Sequence, residues 1–194
     1  MNPGQPGLPP AAAPLAPTLP VWRLALRLAH WTLAGSVLAC LWLYEGGPWH
    51  LRLGYVALAV AAWRVATGLA GPAADRFTSF VHGPWHTLAY LRALLARRAP
   101  RHLGHNPLGA WMIVALLAAT LLAGVTGALY DTDRFWGYAG LYRLHQIGGW
   151  ALAVLVPLHL GGVLLSSILQ RENLVRSMID GQKRAPAVGD GGDR

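Results

Sequence analysis

The chain has 194 residues, 54% of them hydrophobic and only 12% charged, where an average soluble protein is about 25% charged. With a mean hydropathy of +0.37 and nine tryptophans, this composition excludes most soluble globular folds and points to lipid as the solvent. The net charge of +8 admits nucleic acid, an anionic membrane face or acidic partners until the charges are located along the chain.

Residues 1–20 are rich in Pro and Ala and lack both a basic n-region and an uninterrupted apolar h-region, so they read as a disordered tail, not a secretory signal. Four apolar stretches follow at about 24–44, 50–70, 108–130 and 144–169, each near the ~20 residues of helix needed to cross a bilayer core. No Asp or Glu lies within them, whereas Arg27, His30, His50, Arg52, Arg64, His145 and His159 do. Between the second and third stretches, 71–107 contains PWHTLAYLRALLARR. There Leu88, Leu91, Leu94 and Leu95 recur at helical spacing against Arg92, Arg97 and Arg98, predicting an amphipathic helix on the membrane surface. Asn106 and Pro107 are placed to cap and start the third span. The chain turns polar from Gln170, with helix expected to about Ile179 and a disordered tail over 185–194. The expectation is an all-α integral membrane protein: a four-transmembrane-helix bundle over 21–184 with an amphipathic surface helix between helices two and three.

With a cytoplasmic N-terminus, Arg23, Arg27, five arginines in 71–107 and five basic residues after 169 fall inside, while Arg52, Arg134 and Arg143 fall outside. The positive-inside rule therefore places both termini in the cytoplasm, in a bacterial inner membrane. Trp42, Trp49 and Trp136 mark the outer interface, and Trp22 and Trp85 the inner one. The basic excess is a topology signal, and nucleic acid drops out as a partner.

An ionisable residue inside a membrane is costly and is a functional hypothesis by default. His145 and His159 are 14 residues apart, which is about 40° short of four full turns, so both project from one face about 21 Å apart along the axis. His50, at the outer start of the second span, lies level with His145. His30, about two turns into the first span, lies level with His159. The register predicts two bis-histidine sites, one above the other. Structural zinc takes four protein ligands, often including Cys, and the chain has only Cys40. Haem iron needs only an axial pair, and with no C-x-x-C-H motif any haem is non-covalent. Ala34, Gly54 and Gly149 at i+4, and Gly162 at i+3, would let a flat macrocycle approach, although small residues also serve plain helix packing. Arg64 lies 14 residues beyond His50, at the depth of the inner site, and Arg27 one turn before His30; either could pair with a haem propionate, and Arg27 could equally snorkel to headgroups. His82 and His86 are separated by Gly83-Pro84, which argues for a solvated loop, and His102 and His105 sit in the basic connector.

VWRLALRLAHW, HLRLGY, DRFTSFVHGPWHTLAYLRALL, GHNPLGAWM with the later Thr126-Gly127, LHQIGGW and RENLVRSMIDGQK together resemble the bacterial di-haem cytochrome b561 and nickel-iron hydrogenase b-type cytochrome family over about 21–184. The resemblance implies a four-helix bundle with two haem b groups, an electron-transfer subunit with quinone as donor or acceptor and a hydrogenase, dehydrogenase or c-type cytochrome as redox partner. Homo-oligomers and a stand-alone quinone or superoxide oxidoreductase fall within its scope. It maps the axial ligands onto His30, His50, His145 and His159. Family members usually carry an acidic residue where this chain has Arg23. The rival readings are a haem-free anchor and a metal-translocating protein with a histidine relay; the latter predicts broken helices or mid-membrane acids, and neither is evident in the sequence.

Overall fold

A computed structural model describes residues 18–96, 98, 104 and 106–185 of the chain. Its elements are β1 (Thr18–Pro20), α1 (Leu24–Trp42), α2 (Pro48–Ala70), α3 (Pro84–Leu95), α4 (Pro107–Tyr130), α5 (Ala139–Leu169), α6 (Leu174–Asp180) and β2 (Gln182–Arg184). Four of these, α1, α2, α4 and α5, are long and apolar enough to cross a membrane. They are the four expected spans.

Local chemistry sets the helix limits. Gly46 (φ 92°) and Gly47 (φ 99°) turn the chain between α1 and α2 through a region L side chains avoid, and Pro48 opens α2. The Asn106 side chain accepts from the Gly109 N–H at 2.7 Å and Pro107 takes the first helical position, the cap expected from sequence. Helix α5 begins at Ala139, five residues before the apolar run, because a helix can start among polar residues in the headgroup layer. It holds Pro157 in its interior. The expected surface helix is α3; burial pushes the Tyr90 phenol above its ordinary pKa.

The terminal tail expected through residue 20 is shortened: Thr18–Pro20 pair antiparallel with Gln182–Arg184. Strand pairing satisfies backbone groups that a free tail would leave to water. Residues 1–17 and 186–194 of the expected tails, with Arg97, Arg101, His102 and His105, lie outside the described residues.

Helix α4 packs along α5 and α2, α1 along α2, and α1 meets α5 to close the ring. At mid-depth each spanning helix gives one buried residue to a shared layer, Val37, Ala57, Ala119 and Leu152. Val37 lies two turns beyond His30, Ala57 midway between His50 and Arg64, and Leu152 midway between His145 and His159. The apolar layer thus separates two levels, called outer and inner after the orientation expected from the charges. Outside the ring, large apolar side chains stay exposed, Trp42 at 85% and Ile168 at 73%, as a lipid-facing surface requires.

Candidate functional site

At the outer level His50 stands in the first turn of α2 and His145 on α5, with ring centroids 5.9 Å apart. His50 Nδ1 donates to the Leu43 carbonyl at 3.0 Å, an oxygen that the end of α1 leaves without a helical partner. His145 Nδ1 donates to the Ala123 carbonyl on α4 at 2.8 Å. Both bonds place the proton on Nδ1 and leave the Nε2 lone pair for a ligand. His145 reaches Ala123 by crossing residue 127, where a Cβ would stand 2.9 Å from Nδ1. Only glycine admits the ring there.

Both rings line a cavity of about 990 Å³ among α1, α2, α4 and α5. Gly54 and Gly149 also line it, and a Cβ on either would meet nothing within 4 Å of protein, so both glycines open onto the space. Sequence spacing had already placed them one turn from the two histidines. The cavity is also lined by groups that the histidine register does not reveal: Tyr55, whose hydroxyl lies 3.5 Å from the Asp131 carboxylate, and Tyr142, whose oxygen accepts from Gln146 at 3.1 Å.

At the inner level His30 and His159 face each other with ring centroids 6.4 Å apart, and Trp31 meets the His30 ring edge-on at 5.3 Å. Two imidazoles trans on one metal, with bonds of about 2.0 Å and about 1.1 Å more to each ring centre, stand about 6.2 Å apart. The inner and outer separations bracket that value. Among the described residues no group of three or more His, Cys, Asp and Glu could hold a metal, so a four-ligand protein site of the structural zinc type is not formed at either pair. The donor set, two imidazoles facing across a space bordered by glycine, fits a metal that brings its own equatorial ligands.

Arg64 is braced from below. Its guanidinium lies over Phe77 at 4.8 Å and Phe80 at 5.9 Å, while its Nη1 is buried without a hydrogen-bond partner among the described residues. Phe77 packs into the gap left by Gly68, where any Cβ would strike the ring. Nearby, Asp75 is buried and accepts from Arg23 at 2.7 Å, so the arginine that departs from the family pattern ties the start of α1 to the connector after α2. Arg27 is drawn elsewhere. Its guanidinium bonds the Ile179 carbonyl at the end of α6, and the Trp31 indole donates to the Met178 carbonyl at 3.1 Å, while the Arg27 Nε is buried without a hydrogen-bond partner among the described residues. With the Val21 and Trp22 N–H groups bonded to Gly181 and β1 bonded to β2, these contacts clasp the chain ends around the inner end of α1.

The sequence profile of the prokaryotic cytochrome b561 family matches residues 21–181. The chain belongs to that family. It is accordingly a multi-pass b-type cytochrome of the membrane, an electron-transfer protein whose cofactor is haem b. The cytochrome is 26% identical to a protein of Azotobacter vinelandii described as a probable Ni/Fe-hydrogenase B-type cytochrome subunit, over 83% of this chain and 86% of that one. A protein of Cupriavidus necator with the same description is 25% identical over 84% and 86% of the two chains, and one of Azotobacter chroococcum is 26% identical over 83% and 86%. No solved structure matches the cytochrome.

Proposed function

We propose that His30 with His159 and His50 with His145 are the axial ligands of two haem b groups, and that the cytochrome carries electrons across the bilayer between a redox partner and the quinone pool. The observation that carries this reading is the facing of both histidine pairs, 6.4 and 5.9 Å apart, at two levels of one bundle. Bound haem supplies the one-electron Fe(III)/Fe(II) couple. The protein does the rest: the Leu43 and Ala123 carbonyls orient two of the imidazoles, Gly54 and Gly149 give the ring plane room, and the Val37, Ala57, Ala119 and Leu152 layer keeps water out between levels. The relatives' descriptions favour a nickel-iron hydrogenase as partner. Charge distribution favours cytoplasmic termini in the bacterial inner membrane, and the pairing of Thr18–Pro20 with Gln182–Arg184, which sets the start of α1 and the end of α6 at one end of the bundle, agrees.

The purified protein should show a low-spin b-type spectrum and two haems per chain by pyridine haemochrome assay. A colourless preparation from haem-replete cells would refute the reading and favour the haem-free or metal-translocating alternatives.

Arg64, whose Nη1 is buried without a hydrogen-bond partner among the described residues and whose nearby carboxylate, Asp75, is already bonded to Arg23, is our candidate to receive an inner haem propionate. Arg64→Gln should lower one midpoint potential by on the order of tens of millivolts, because a lost cation favours the ferric form. Arg64→Lys should restore most of it. Equal shifts in both haems under redox titration would place Arg64 elsewhere.

A further inference from the structure

His82 and His86 belong to neither histidine pair. The Gly83-Pro84 between them, which on sequence separates them, is the device that joins them: Gly83 is the N-cap and Pro84 the first residue of α3, and the first helical turn carries His86 back over His82. Their ring centroids lie 4.8 Å apart with planes 26° from parallel. His82 Nδ1 donates to the Phe80 carbonyl at 2.9 Å, which leaves its Nε2 lone pair free, and the His82 carbonyl accepts from the Trp111 indole at 3.1 Å. These bonds and the fixed φ of Pro84 restrict the backbone before any ligand arrives.

Ring spacing distinguishes this pair from the intramembrane ones. With each ring centre about 3.1 Å from a shared metal, imidazoles bound cis at about 90–110° stand about 4.4–5.1 Å apart, against about 6.2 Å for a trans pair. The 4.8 Å spacing lies in the cis range, and because the rings are stacked, the two in-plane lone pairs converge on one ion after a rotation of the exposed His86 side chain about its torsions. Both side chains are exposed, so water can fill the remaining coordination positions.

We propose that His82 and His86 form a separate surface site for one borderline transition-metal dication, copper(II), nickel(II) or zinc(II). Imidazole nitrogen suits these ions, and oxygen-seeking magnesium and calcium find no carboxylate in it. The positive end of α3 opposes a cation there, which weakens binding about two- to five-fold at an exposed position and leaves the coordinate bonds dominant. A bound ion ties the start of α3 to the connector whose Phe77 and Phe80 brace Arg64.

The test is metal titration of the haem-loaded, full-length, tag-free protein with copper, nickel and zinc chlorides by calorimetry, with haem absorbance recorded throughout. One ion per chain should bind, copper tightest, as the Irving–Williams order requires. His82→Ala and His86→Ala should each weaken it by at least ~10-fold, the loss that follows removal of even a supporting partner of a metal ligand. Both variants should keep both haems, and a His102→Ala/His105→Ala variant should bind as the parent does. No saturable binding, unchanged affinity in either single variant, or loss of binding in the His102/His105 variant would overturn the site.

Discussion

His159→Ala is expected to remove one of two haems, and the haem it removes should be the one that His30→Ala removes; His50→Ala and His145→Ala should both remove the other. The expectation follows from geometry alone, since each pair faces across a single gap and the apolar layer lies between the pairs. Haem per chain should fall from two to one in every single variant and remain at one in His30→Ala/His159→Ala. It should fall to zero in His30→Ala/His145→Ala, which takes one ligand from each site. Haem assay with redox titration identifies which component is gone. If His30→Ala removed the component that His145→Ala removes, the depth argument would fail.

Adjacent glycines on α5 should give opposite results. At Gly148 a Cβ would stand 2.8 Å from the Ala123 backbone nitrogen on α4, so Gly148→Leu must force α5 away from α4. Overpacking of this kind costs about 1–3 kcal/mol, and here a backbone, not a pliable side chain, has to yield. Folded protein should drop sharply, and with it both haems. At Gly149 a Cβ would meet no protein atom within 4 Å, so Gly149→Leu should fold at least as well as the parent, helped by about 1 kcal/mol of helix propensity. It should nevertheless lose the outer haem alone, because the new side chain fills the cavity beside His145. Size-exclusion profiles and haem content separate the cases; a Gly149→Leu protein with both haems would show that residue 149 does not face the macrocycle.

Much of this arrangement could be read in the sequence because a helix turns position into angle and depth. The spacing of His145 and His159 and the levels of His30 and His50 needed only 3.6 residues per turn and the direction of each span. Gly54 and Gly149 followed from the same rule. What lay hidden depends on contacts between elements. Thr126-Gly127 stands out in the sequence, yet the reason for Gly127 is a ring arriving from another helix. The phenylalanines of DRFTSF gain their role only when Gly68 lets Phe77 under Arg64. Arg27 is one turn from His30, which suggests a propionate, but its guanidinium also meets the Ile179 carbonyl of α6, and nothing in the local sequence announces that contact. Thr18–Pro20 looked like tail because their partners are at the far end of the chain.

The clasp at the chain ends also orders the protein's assembly in time. Helix α1 is synthesised well before the groups that fix its inner end, Met178, Ile179 and Gly181. The outer level needs nothing beyond the first turns of α5, since Leu43, Ala123 and Gly127 all precede His145. Because chains fold from the N-terminus as they emerge, the outer level can be complete before α6 has been made. The inner level closes only once α6 has emerged.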